Sequence, residues 1–160
     1  MDSRIISKID EIFNKEFPFE DESSDEYDFE KLENNNNIII PAIYKEFLLM
    51  NKYEYTKDDY FFPTIEKSSS TPADGLEFID NFYSLASFFE NSDEFMDLWC
   101  DYVLPIGEVA GDFVCIGVKE HNLGKIYMLN HDDEEREDGL YLIADSFSDF
   151  IMSFRLVDSN

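Results

Sequence analysis

The groups in this sequence that can do chemistry are two histidines, two cysteines and a large excess of carboxylates, with 37 Asp and Glu against 12 Lys and Arg. His121 falls in a predicted turn, and His131 opens the run His131-Asp132-Asp133-Glu134-Glu135. That run holds nitrogen and oxygen donors for a divalent cation. Contiguous ligands on a loop point in different directions, however, and calcium loops need spaced oxygens with a glycine at the turn. A solvated acidic loop is the other reading of the same residues, and no metal or cofactor is expected. Cys100 and Cys115 lack metal-ligand spacing, and Cys115 falls mid-strand, where a thiol serves as a small hydrophobe. The sequence contains no phosphate-binding glycine loop, dinucleotide fingerprint or nucleophile elbow. Carboxylates are too frequent for any pair of them to mark an acid and a base. The inventory favours binding over catalysis, and no catalytic residue is assigned.

Charge narrows the binding partners. A net charge of −25 repels phosphate backbones and anionic headgroups, so neither nucleic acid nor membrane is an expected partner. It speeds encounter with a cationic protein, although the same acidity also serves solubility alone. The 160 residues suit one domain, residues 1–160, and 16% aromatics supply the core that a disordered acidic chain lacks. No apolar run approaches the ~20 residues of a membrane span. The start Met1-Asp2-Ser3-Arg4 lacks the pattern of a signal peptide, and two cysteines make no disulfide framework. A soluble, cytoplasmic protein is the expectation.

Elements then follow from periodicity. Ile5, Ile6, Ile9, Ile12, Phe13 and Phe17 predict a first helix, capped by Asp2 or Ser3 and stopped by Pro18. Residues 20–26 read as an acidic loop, 27–33 as a short helix, and the asparagines at 34–37 as a turn with left-handed backbone. A helix begins near Pro41, its expected buried side made of Ile43, Phe47 and Leu48 with Tyr44 and Met50 alongside. Tyr53-Glu54-Tyr55 and Tyr60-Phe61-Phe62 are candidate short strands, the second ended by Pro63, and 67–72 is an exposed loop. A strand at 76–79 precedes a helix capped by Ser84, with a further helical turn over 93–98. Strands at 103–107, 113–118, 125–129 and 140–143 follow, the middle two forming a hairpin. Phe147, Phe150, Ile151 and Phe154 at i, i+3, i+4 and i+7 close the chain with a helix capped by Ser146. Helices around a strand-rich middle predict an α+β domain with a mostly antiparallel sheet.

Three stretches, in order, resemble the Smi1/Knr4-like family, also called the SUKH superfamily. Ile40-Pro41-Ala42-Ile43-Tyr44-Lys45-Glu46-Phe47-Leu48 is similar to its "L-P-x-x-Y-K-x-F-L" helix. Leu104-Pro105-Ile106-Gly107, then Gly111-Asp112-Phe113-Val114-Cys115-Ile116 and Gly124-Lys125-Ile126-Tyr127, resemble its "L-P-I-G … G-D-x-I-C-L … G-x-V-Y" core. Ala144-Asp145-Ser146-Phe147-Ser148-Asp149-Phe150-Ile151 resembles "A-x-S-F-x-D-F-L". Two positions depart from the pattern: Asn51-Lys52-Tyr53 stands where Asn-Gly-Gly is common, and Ala110 where a second glycine is common.

The resemblance implies an α+β fold with a central antiparallel sheet flanked by helices. It also implies a non-enzymatic role. Many bacterial members are immunity proteins that bind and block a polymorphic or contact-dependent toxin, often a nuclease. Yeast relatives act instead as regulatory hubs of cell-wall synthesis, so an intracellular scaffold module is the alternative. On the toxin reading the partner is a basic protein domain. The expected binding surface combines acidic runs with exposed aromatics, drawn from two segments. One is aromatic, with Tyr53, Tyr55 and Tyr60 among Asp58 and Asp59, residue types that suit an interface but equally suit edge strands covering a sheet. The other is the acidic loop with Asp132, Asp133, Glu134 and Glu135. Asp112 is expected to bond the amides of its own turn.

Overall fold

A computed structural model describes residues 1–20 and 27–157. Their order is α1 (Ser3–Ile12), α2 (Phe29–Asn36), α3 (Ala42–Met50), β1 (Tyr60–Pro63), β2 (Leu76–Glu77), β3 (Asn81–Phe82), α4 (Leu85–Leu98), β4 (Val103–Val109), β5 (Asp112–Gly117), β6 (Ile126–Leu129), β7 (Leu140–Ala144), α5 (Phe147–Ser153) and β8 (Arg155–Leu156). Strands β3-β4-β5-β6-β7 form a five-stranded antiparallel sheet, and β2-β1-β8 a second, three-stranded one. The fold is α+β with antiparallel sheets, as expected; β1 and β2 of the small sheet fall where short strands were expected, while the two-residue β8 carries no periodicity from which to foresee it. All but one residue of the predicted acidic loop, 21–26, lies outside the described residues.

The caps are chemical. Asp2, Asp28, Ser84 and Ser146 each accept a backbone N–H in the first turn of the helix they precede. Asn37 ends α2 in the left-handed region, φ 52°. The first helix stops at Ile12, six residues before Pro18, because tertiary pairing takes over. Asn14 N–H donates to the Tyr55 carbonyl at 2.8 Å, Lys57 N–H donates to the Ile12 carbonyl at 2.8 Å, and Phe13 bridges Thr56. The partner segment 53–55 makes isolated bridges and no strand. Pro63 stands inside β1, opposite Leu76, and of the predicted strand 76–79 only Leu76–Glu77 forms a strand, β2, while the larger sheet takes up the chain again at Asn81. α4 runs unbroken through Asn91 and Ser92, whose side chains donate to the carbonyls of Ser87 and Phe88 one turn back.

Apolar side chains meet in one buried cluster reaching from Ile5 to Phe154. α4 lies on β4, α5 on β7, and α1 and α3 on α5. Rings dominate the contacts. Tyr44 packs edge-on against Phe88 at 5.4 Å and Phe147 at 5.3 Å, and Phe150 packs on Phe62 and Phe154, both at 5.1 Å. The β4–β5 turn is tight. Ala110 and Gly111 both have positive φ, 49° and 87°, as a two-residue turn that matches strand twist demands. Gly117 is needed for space, since a Cβ there would sit 2.0 Å from the Asn122 carbonyl oxygen.

Two stability changes are expected. Phe150→Ala empties a fully buried site and should cost about 3–5 kcal/mol, read as a lower urea midpoint. Ala110→Gly relieves a left-handed alanine worth about 1–2 kcal/mol, offset by about 0.5–1 kcal/mol of added chain entropy, so the midpoint should rise slightly. The Ala110 N–H bond to Asp80 Oδ2, 2.7 Å, is retained in that variant.

Candidate functional site

The acidic loop is the β6–β7 connection, and one cation organises it. The Arg136 guanidinium grips the Glu66 carboxylate with two bonds, 3.0 and 2.7 Å, and donates to the Leu140 carbonyl at 2.8 Å. It also lies 4.2 Å over the Tyr141 ring. Glu66 accepts the Leu142 N–H at 2.8 Å, and its own N–H donates to the Leu142 carbonyl, so the clamp seals the edge of β7. The paired guanidinium and the Leu142 N–H hold the Glu66 carboxyl down at about 2. Asp133 faces inward, accepting from the Tyr141 hydroxyl, which that bond and burial push up to about 12. Asp132, Glu134 and Glu135 are exposed.

At the start of this loop His131 is held between carboxylates. Its Nδ1 lies 2.6 Å from Asp112 Oδ1 and its Nε2 3.2 Å from Asp132 Oδ2. The Asp112 bond raises the imidazole above its ordinary value. Asp112 thus reaches across to the neighbouring strand, accepting the His131 N–H at 3.3 Å, and does not serve its own turn. An aspartate-oriented histidine is half of a nucleophile-activating array. Here both ring nitrogens face carboxylates, and burial pushes both cysteine thiols up, away from the thiolate. Among the described residues, no three His, Cys, Asp or Glu side chains converge as metal ligands. Burial, with Asp112 and Asp74 nearby, pushes the Glu77 carboxyl up to about 7.

The loop's aromatic neighbour is Trp99, not the tyrosine segment. The indole at the end of α4 stands edge-on to His131, with ring centres 6.4 Å apart. Leu98 and Trp99 are 66% and 46% exposed. Spacing alone places both in the core, since they follow Phe95 by three and four residues. The only sequence signal was their position between Asp97 and Asp101.

The tyrosine segment lies elsewhere. The Glu54 carbonyl accepts from Phe82 N–H at 2.9 Å on β3, the strand at the far edge of the sheet from β7. Four strand spacings separate those edges, on the order of 19 Å. Tyr53 is half-buried, while Tyr55 is exposed and meets the exposed Phe17 edge-on. Tyr60 is buried, and its hydroxyl donates to Glu11 at 2.8 Å. Asp58 and Asp59 are exposed in the turn before β1. Lys15, Lys52 and Lys57 lie on or beside this segment, whereas between Lys67 and Lys119 the chain carries ten carboxylates and no Lys, Arg or His.

Comparison with known families gives one match: the SMI1 / KNR4 family (SUKH-1) model aligns with residues 23–153. The chain belongs to this family. No curated protein sequence matches it. The SUKH motif residues named above map onto interior positions: Tyr44, Phe47, Leu104, Ile106, Phe147 and Phe150 are all 1% exposed or less. The second missing glycine of the motif is the left-handed Ala110. No helix among the described residues of this SUKH chain is long and apolar enough to cross a membrane.

The raised Glu77 and His131 values have the same sign. Glu77 contributes stability in full below the ordinary 4.5 and loses it as pH rises through about 7. His131 contributes in full below 6.5 and loses it through its raised value. Glu77→Gln should therefore stabilise at pH 8 by on the order of 1 kcal/mol, after discounting for solvent screening, and by much less at pH 5. Urea melts of parent and variant at both values check this.

Proposed function

We propose that this SUKH chain is an immunity-type binding protein that neutralises a cognate toxin by protein–protein contact, and that the toxin domain is basic and nuclease-like. The family includes immunity proteins and Smi1/Knr4 members, and the observation that favours the first is the charge, −25 over 160 residues. Such a surface presents a nuclease with the charge its nucleic-acid groove is built to attract. Occupying or masking that groove blocks turnover without chemistry in the inhibitor. The exposed Asp132, Glu134 and Glu135 serve encounter, with Asp133 shaping the loop. Asp58, Asp59, Tyr53 and Tyr55 form a second candidate contact, with Tyr60 supporting it from below.

The test is neutralisation. The adjacent reading frame should encode a long toxin with a basic C-terminal domain, and that domain should arrest growth when expressed alone and not when co-expressed with the chain. On a biosensor, association should slow steeply as salt rises from about 0.1 to about 1 M, where the Debye length falls from about 10 to about 3 Å. Unrelieved arrest, with the chain capturing a host regulatory protein instead, would favour the scaffold role.

A further inference from the structure

The exposed end of α4 is built unlike the rest of the surface. Trp99 is the chain's sole tryptophan, and it stands proud together with Leu98. Between them and the sheet is an open cavity of about 180 Å³, lined by Glu94, Phe95, Leu98, Trp99, Pro105 and Phe113. At about 30 Å³ per water, that is the space of roughly six waters, enough for one long side chain. Its floor is apolar, formed by Phe95 edge-on to Phe113 with ring centres 5.6 Å apart. Carboxylates flank it on the helix side, while His131 stands against Trp99 and Asp101 shares the neighbouring pocket with Lys119 and His121. Glu94, Asp97 and Asp101 are exposed around the helix end, and Asp132 reaches the site through His131. The stretch that supplies the helix and both strands, between Lys67 and Lys119, contains no cation.

We infer that the Leu98–Trp99 end of α4, with the start of the β6–β7 loop, is the docking surface for a cationic segment of the partner protein. An arginine or lysine of that segment packs its stem over Leu98 and its charge on the indole face, beside these carboxylates. An indole binds a cation through its ring quadrupole, most strongly where water is partly excluded. Tryptophan is also enriched among residues that dominate binding energy, and a surrounding rim that keeps water out strengthens it. A nucleic acid or anionic membrane is repelled by the same carboxylates, and a second copy of the chain brings −25 of like charge to the contact. This inference rests on the reading of the chain as a binder of a basic protein, and it names where that protein sits.

Because Trp99 is unique, its fluorescence reports on this surface alone. The probe is an arginine- and lysine-rich peptide titrated into the intact protein, with an acidic peptide and a single-stranded oligonucleotide as controls. The expected result is a saturable change in Trp99 emission with the basic peptide only, weakened by salt, and amide shifts in NMR spectra centred on 94–101 and 131–135. Trp99→Ala, and separately the pair Leu98→Ala with Asp97→Asn, should each weaken peptide binding on the order of tenfold, measured at a temperature where the melting curve of each variant shows it fully folded. Shifts spread evenly over all acidic surface, shifts centred on Tyr53 and Tyr55, an equal response to the oligonucleotide, dimerisation through this face, or variants that bind like the parent would each overturn it. The peptide arm is independent of the toxin. If the basic peptide docks at Trp99 and no toxin is neutralised, the surface stands and the immunity reading fails. If the toxin is neutralised equally by parent and variants, the immunity reading stands and this surface is wrong.

Discussion

Phe82 meets four other rings: Phe13 at 5.1 Å, Phe47 at 5.7 Å, and Phe150 and Phe154 both at 6.2 Å. It stands on a two-residue strand, yet it joins the end of α1, the middle of α3 and both ends of the α5 contact to the edge of the larger sheet. Everything else in the molecule leans on this aromatic knot. A chain at −25 works against its own compaction through self-repulsion, and large rings offer the greatest apolar burial per residue. Sixteen phenylalanines, most of them turned inward, are the counterweight that lets the surface stay so acidic.

That knot also explains which elements were legible. Helices α3, α4 and α5 and strands β4 to β7 bury rings or branched side chains at regular spacing, so their period shows in the sequence. What escaped is structure held by single long-range contacts. β3 exists because Phe82 needs a place beside β4, and two residues have no period. α1 ends at Ile12 because the carbonyls of Ile12 and Tyr55 find backbone donors 45 and 41 residues away along the chain, at Lys57 and Asn14; Pro18, the local stop signal, arrives too late to matter. Of the candidate site, the acidic loop was readable from its charge run. Its organiser, Arg136 locked on Glu66, joins residues 70 apart, and no local pattern announces such a pair. Grouping the tyrosines with the loop followed composition, whereas the sheet places them at opposite edges.

Separating those two regions sorts the surface by charge. Lys15, Lys52 and Lys57 lie on or beside the tyrosine segment, and the stretch of chain that supplies α4, β4 and β5, between Lys67 and Lys119, carries carboxylates and no Lys, Arg or His. A field of one sign reaches beyond a Debye length only weakly, so its effect on encounter depends on concentrating charge over one patch. The fold achieves that by bringing the β6–β7 loop, distant in sequence, beside the end of α4 through the His131 contacts with Asp112, Asp132 and Trp99.

The family's shared residues and this patch answer to different constraints. Tyr44, Phe47, Phe147 and Phe150 are inaccessible, so substitution there is judged by packing, whatever the partner. Leu98 is 66% exposed, and Trp99, 46% exposed, packs on the loop through His131 and not on the central rings. The central packing does not constrain their types as it does those of the motif residues. A scaffold with its specificity outside its core can change partner without repacking Phe82 and its neighbours. In such an architecture partner choice would fall to exposed side chains such as Leu98, Asp132, Glu134 and Glu135.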